Sequence, residues 1–262
     1  EVAKTIVGGG GRFLRAYGTF VHPNVLAIVL LLGLYSLVNL FLKKKGKFKI
    51  ELFTVGAFIL LLGLISTFSR SVWLVGVAVL ICYFFCLLRR HKNLRGQILK
   101  IILILTIIIL VLFSALYPFV WPKLKISLHE PSVNLRLTYL KVGWDIVKAN
   151  PLLGVGVGNQ VGYAVENGLY QKYGLREKQW QPVHNLYLLV ASELGLIGLL
   201  IFFLLIVSVI KNLWAVGSWQ WEILKPIWIS ILVLALFDHL LWTIPVGLLM
   251  FWTVVFLASF RG

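Results

Sequence analysis

Two arginines and one histidine have the side chains and positions for chemistry on an anionic substrate: Arg70, Arg136 and His184. Arginine keeps its charge at any working pH, and its planar fork matches two phosphate oxygens at once. A neutral histidine can take the proton of an incoming hydroxyl. Arg70 lies in STFSRSVW, Ser66 to Trp73, a stretch long enough only to reverse the chain between two apolar runs. Its guanidinium is therefore expected at a membrane surface, where binding phosphate and anchoring a lipid headgroup are both open to it. His184 stands where a polar stretch ends and the apolar segment HNLYLLVASELGLIG begins. A helix N-terminus disfavours the imidazolium, whereas a phosphate group held nearby would favour it. Glu193 follows nine residues on. It lies about 13 Å deeper and roughly 180° round the same helix, so it is not expected to pair with His184. Beside the small residues Ala191, Gly195 and Gly198, it reads as a structural clamp on another span or a loop amide.

The elements that must position these groups are membrane helices. The 262 residues are 60% hydrophobic. Their apolar residues fall into seven runs, near 25–42, 51–68, 72–88, 100–118, 185–210, 226–241 and 246–260. Each is long enough to cross most or all of a hydrocarbon core about 30 Å thick. The expected fold is an all-α integral membrane protein of about seven transmembrane helices, with a long outward loop carrying an amphipathic helix. Three sections follow: 1–118, an outward N-terminal segment plus four spans; 119–184, the loop; and 185–262, three C-terminal spans. The net charge of +16 could suggest nucleic acid, but its placement argues otherwise. Lysines crowd Lys43 to Lys49, further basic residues fill Arg89 to Lys100, and Lys211 and Lys225 flank a third short connection. By the positive-inside rule that side is cytoplasmic, and 1–23, 69–71, 119–184 and 242–245 face outward. Because the chain opens on an outward segment, an odd number of spans is expected upstream. Cys82 and Cys86, at i and i+4 without an acidic or histidine partner, read as apolar wall residues.

Within the loop, 132–149 reads as a helix started by Ser132 or Asn134 and stopped by Asn150-Pro151. Thr138, Lys141, Asp145 and Lys148 share its polar face, while Arg136 falls in line with Leu140, Gly143 and Val147. An arginine so placed either snorkels out or points into a polar cavity. PLLGVGVGNQ, Pro151 to Gln160, follows. Its glycines at 154, 156 and 158 make either a flexible turn or a backbone able to approach an anion. Asp238-His239, near the outer end of the sixth run, could line the same outward cavity.

These pieces also occur in a meaningful order: RAYGTFVHPN (Arg15 to Asn24), STFSRSVW, Arg136 leading through Trp144 to NPLLGVGVGN, His184-Asn185 with Glu193-Leu194-Gly195, and DHLLW (Asp238 to Trp242). The ordered set resembles the O-antigen ligase and polymerase superfamily, bacterial membrane glycosyltransferases that use polyprenyl-diphosphate-linked glycans. The resemblance implies about twelve spans in all, with about five upstream of this chain. It implies that Arg70 and Arg136 hold the donor diphosphate and that His184 activates the acceptor hydroxyl. Gly156, Gly158, Asn185, Asp238 and His239 join the substrate-binding set, and Glu193, His22 and Asn24 are structural. It further implies inverting transfer without a cofactor or metal, and the sequence has no Asp-x-Asp pair to hold one. The partners expected are a polyprenyl-diphosphate-linked glycan, a glycan, lipid or protein acceptor, and membrane lipid, in the cytoplasmic membrane with the active site on its outer face. A polysaccharide polymerase, a protein O-oligosaccharyltransferase and a flippase of lipid-linked glycans are the alternatives. A flippase should carry polar residues at mid-membrane in several spans, and the first four runs carry no charge away from their ends.

Overall fold

The computed structural model describes residues 5–8, 11–43, 49–124, 131–215 and 222–259. Most of Lys43 to Lys49, the densest basic cluster, lies outside them. The described chain is helical apart from one short antiparallel hairpin, β1 (Thr5–Gly8) paired with β2 (Gly11–Leu14). Four helices are long and apolar enough to span a membrane: α1 (Pro23–Lys43), α3 (Arg70–Arg90), α4 (Arg95–Ala115, entered through a 3-10 turn at Lys92–Leu94) and α9 (Leu186–Ala215). Three of the seven expected spans are shorter apolar helices, α2 (Ile50–Ser66), α10 (Leu224–Leu234) and α12 (Pro245–Ser259), and a short helix, α5 (Tyr117–Leu124), follows α4. The chain packs as two compact units, Glu1–Lys125 with Gly217–Ser230, and Ile126–Val216 with Ile231–Gly262.

In the first unit α1 and α2 are antiparallel neighbours. Gly33, Gly56 and Gly63 each face a leucine of the opposite helix, Leu60, Leu37 and Leu30. Small residues of this kind let membrane helices approach closely. Leu31, Leu34, Tyr35 and Val38 fill the interior, and the buried Tyr35 hydroxyl shares a 2.8 Å hydrogen bond with Ser230 Oγ. At the basic end of α3, Glu222 accepts from Arg90 at 2.9 Å and from Lys225 at 2.8 Å, so this buried carboxylate is matched by two cations. Cys82 and Cys86 are exposed on α3 beside the exposed apolar side chains of Ile81 and Phe85.

In the second unit α6 (Pro131–Ala149) carries the core of the connecting segment. Its residues Tyr139, Val142 and Ile146 pack with Ala164, Tyr170 and Leu175. These come from α7 (Gln160–Glu166), α8 (Leu169–Lys172) and the chain beyond. The helix begins ahead of both Ser132 and Asn134, with proline at its first position, where a missing N–H costs nothing. Lys172 and Tyr173 both donate to Asp145, at 2.6 and 2.8 Å, and tie α8 back to α6.

Two apolar runs that read as continuous are interrupted. The run at 185–210 forms α9, but its backbone leaves the helix at Gly195, with φ 67° and ψ −172°. The segment Pro151–Gly156 lies against this break and replaces the lost helical bonds. Val155 N–H donates to Ser192 O at 3.0 Å and Gly156 N–H to Glu193 O at 2.8 Å, while Leu196 N–H donates to Pro151 O at 2.8 Å. The run at 226–241 ends as a helix at Leu234, not Leu241; a turn follows, then one helical turn, α11 (Leu240–Thr243). The carbonyls freed there are taken up by the start of α9. Leu186 N–H donates to Ala235 O at 2.8 Å, and Asn185 Nδ2 donates to Leu236 O at 3.1 Å.

The crossing at Gly195 requires glycine on both sides. A Cβ on Gly195 would collide with the Leu152 carbonyl, and one on Gly154 with the Glu193 backbone. Both residues also have left-handed φ. Gly158 shares that φ but has open space around it. Alanine at Gly158 should therefore cost about 1–2 kcal/mol. Alanine at Gly154 or Gly195 should cost more than about 4 kcal/mol or prevent folding. Thermal melts of the purified variants in detergent check this order.

Candidate functional site

In the first unit, the sequence-expected Arg70 follows the short link between α2 and α3 and is the first residue of α3. The link from α2 is Thr67-Phe68-Ser69, and Phe68 has φ 50°, a left-handed backbone costing about 1–3 kcal/mol without glycine. Several bonds hold it. Thr67 Oγ1 donates to Leu64 O at 2.6 Å and accepts from Ser69 N–H at 3.3 Å. Trp73 Nε1 donates to Leu64 O at 2.9 Å, with the indole against the Phe68 ring. Arg15 reaches the same link: its Nε donates to Thr67 O at 2.6 Å and its Nη2 to Asn24 Oδ1 at 2.8 Å. Asn24 N–H in turn donates to His22 Nδ1 at 3.1 Å. His22 and Asn24 thus belong to the hydrogen-bonded entry of α1.

In the second unit, Arg136, His184, Asp238 and His239 come together. His184 lies in the bend before α9, its ring stacked on Tyr139 (centroids 5.2 Å, planes 12° apart) and edge-on to His239 at 4.7 Å. Its Nδ1 is 3.1 Å from Pro182 O. A carbonyl only accepts, so Nδ1 carries the proton and the Nε2 lone pair is left for other use. Tyr139 is fixed beneath it by donating to Gln179 O at 2.6 Å, and burial holds the phenol above its usual range, so it stays protonated. Burial disfavours the His184 imidazolium, the Asp238 carboxylate favours it, the Arg136 guanidinium disfavours it again, and the bond to the Pro182 carbonyl favours it. The net shift is downward, and at neutral pH the ring is uncharged.

Arg136 reaches this place because α6 approaches the start of α9 closely at Gly143, where Val183 and Leu188 fill the space a Cβ would need. Gly143 and Val147, on Arg136's side of the helix, are buried. Asn185, expected to meet substrate, caps α9: its Oδ1 accepts from Leu188 N–H at 2.9 Å while Nδ2 holds Leu236 O. Asp238 is nearly buried and accepts from His239 N–H at 2.9 Å, and His239 Nδ1 lies 2.6 Å from Thr243 Oγ1. Ligand atoms of His184, Asp238 and His239 fall within 4.8 Å of one another. By residue type the three could hold a divalent cation, but the Arg136 charge beside His184 opposes one.

Glu193 is 3% exposed in the middle of an apolar helix. Its carboxylate accepts from Trp242 Nε1 at 3.0 Å and from the backbone N–H groups of Gly158 and Gln160. The glycine segment does cradle an anion, and that anion is the chain's own carboxylate. Gly156, its other expected contact, has its N–H on the Glu193 carbonyl. Sequence reasoning missed Tyr139 and Arg15 as parts of these arrangements. Nothing in the sequence marks Tyr139, whereas Arg15 stands inside one of the motif strings.

Among known proteins, the sequence pattern of the O-antigen ligase family matches residues 55–203, more than half of the chain. The chain belongs to the O-antigen ligase family. No curated protein sequence matches it. The match takes in Arg70, Arg136, the glycine segment, His184 and Glu193; Arg15, Asp238 and His239 fall outside it. A member of the O-antigen ligase family is a multi-pass membrane protein of polysaccharide assembly, with a lipid-linked glycan as donor. The His184 surroundings set the expected pH dependence. If the neutral ring is required, kcat/KM rises with pH through a midpoint below the ordinary value of about 6.5. Arg136→Ala removes a charge that pushes the midpoint down and should raise it, while Asp238→Asn should lower it. Profiles of full-length protein in lipid nanodiscs check both directions.

Proposed function

We propose that this chain transfers a glycan from a polyprenyl-diphosphate donor to an acceptor hydroxyl at the outer face of the cytoplasmic membrane. The observation that carries the reading is His184 beside Arg136, with Nδ1 3.1 Å from the Pro182 carbonyl and Nε2 left for a proton. A glycosyl diphosphate already has a good leaving group. Catalysis then needs a base for the hydroxyl and positive charge for the departing phosphates. His184 Nε2 takes the acceptor proton as the acceptor oxygen bonds to the anomeric carbon. The bond from that carbon to the diphosphate oxygen breaks, and the polyprenyl diphosphate leaves with the electron pair. A single displacement inverts the anomeric centre.

Arg70 and Arg136 are assigned the diphosphate, as charge-assisted donors worth about 1.5–3 kcal/mol each. Asp238 and His239 are assigned the edge of the acceptor path beside His184. Gly156, Gly158 and Asn185 are assigned the backbone that shapes the pocket. No metal is assigned to the step. The outward orientation has support within each unit. Arg70 starts α3 and Arg89 and Arg90 end it; His184 precedes α9 and Lys211 lies near its far end. Basic ends opposite the chemistry fit the positive-inside rule.

The test is full-length protein in nanodiscs with a polyprenyl-diphosphate oligosaccharide and candidate acceptors. A single capture by an added lipid, glycan or protein supports a ligase. A product ladder shows a polymerase, and movement of donor without covalent product removes the transferase reading. His184→Ala should lower kcat by about 10²–10⁴-fold with little change in donor KM. Arg136→Ala should chiefly raise donor KM, and EDTA should leave the rate unchanged.

A further inference from the structure

We propose that Arg15 is a positioning residue for Arg70. This rests on the reading of Arg70 as a diphosphate-binding group. Arg15 makes two charge-assisted hydrogen bonds from one guanidinium, to the Thr67 carbonyl at 2.6 Å and to Asn24 Oδ1 at 2.8 Å. A third bond runs beside them, Ala16 N–H to Ser66 O at 3.0 Å. Arg15 therefore straps the link between α2 and α3 to the entry of α1, across 52 residues of sequence. Only Phe68 and Ser69 stand between Thr67, which Arg15 holds, and Arg70.

The link has reason to need a strap. Phe68 holds a left-handed backbone, φ 50°, that a side-chain-bearing residue adopts rarely. Ser69, the residue preceding α3, makes no side-chain cap bond, and its buried Oγ has no partner among the described residues. A strained, poorly capped entry to α3 would relax and swing Arg70 unless its carbonyls were held from outside. Thr67 O is the carbonyl that Arg15 holds. Lysine cannot replace it, because a single ammonium lacks the planar fork that spans Thr67 O and Asn24 Oδ1. Arg15 acts through the backbone and is not assigned a contact with donor.

Full-length protein in nanodiscs tests this with two readouts. Amide hydrogen exchange of the peptide covering 64–73 should speed up about tenfold in Arg15→Ala, the loss expected for one charged hydrogen bond. It should speed up in Arg15→Lys as well, and millimolar guanidinium should slow it again in Arg15→Ala. Donor KM should rise about tenfold in Arg15→Ala with kcat nearly unchanged, and Arg15→Ala/Arg70→Ala should bind donor no more weakly than Arg70→Ala alone. Unchanged exchange in 64–73 would overturn the proposal. So would losses that multiply in the double variant, which would make Arg15 an independent donor contact. If Arg15→Ala fails to fold, Asn24→Ala cuts one arm of the strap and should give the same pattern at smaller size; exchange unchanged there overturns it equally. Normal donor KM in Arg70→Ala overturns the diphosphate reading of Arg70, and the exchange result still decides whether Arg15 holds the link.

Discussion

A helix that breaks inside a membrane must satisfy every backbone group it releases, because no water is there to do so and each orphan costs several kcal/mol. This constraint shapes the second unit. At Gly195 the long helix α9 leaves helical geometry, and Pro151–Gly156 supplies the missing partners through bonds of 2.8 to 3.0 Å at Val155, Gly156 and Leu196. The segment therefore cannot be a passive tether. Its backbone stands in for the part of the helix that is missing.

The buried Glu193 follows from the same arrangement. Placing a carboxylate in hydrocarbon is tolerable only when it is hydrogen-bonded. The crossing brings Gly158 and Gln160 amides to it from one side and the Trp242 indole from the other. One group thereby ties together the glycine segment, the middle of α9 and the turn after Asp238. The short helical stretch before the break is pinned at its start too, by the Asn185 cap and by bonds to Ala235 and Leu236. His184 sits at the end of this doubly held stretch, its ring stacked on Tyr139. Such support from neighbouring bonds and packing is what keeps a reactive side chain in one geometry.

The protonation of His184 is a contest between unequal effects. Burial is the largest and disfavours charge; Arg136 adds to it, and Asp238 works against both without prevailing. A histidine that stays neutral is suited to accept a proton, and the Pro182 carbonyl decides which nitrogen does so. The arginine that opposes its charging is also the one we propose to hold the anionic donor, so one residue would serve electrostatics of both kinds.

Much of this was legible in residue order. Hydropathy located the apolar helices, and helical phase set Arg136 on the side of Gly143 and Val147, because both signals are local and repeat with the helix period. The ordered motifs pointed to the family whose pattern matches 55–203. The broken helix at Gly195 and the early end at Leu234 left no trace in hydropathy, since a glycine among leucines reads as apolar whatever its φ. The glycine segment left two uses open, and only the fold shows Glu193 in its amides. Arg15 on Thr67, Tyr139 under His184, and Trp242 on Glu193 are pairs separated by 52, 45 and 49 residues. By itself the sequence determined which residues carry charge into the membrane and which helices hold them. Which of those charges meet, and which are spent on the chain's own backbone, was decided by tertiary structure, because a hydrogen bond depends on distance in space and not on separation along the chain.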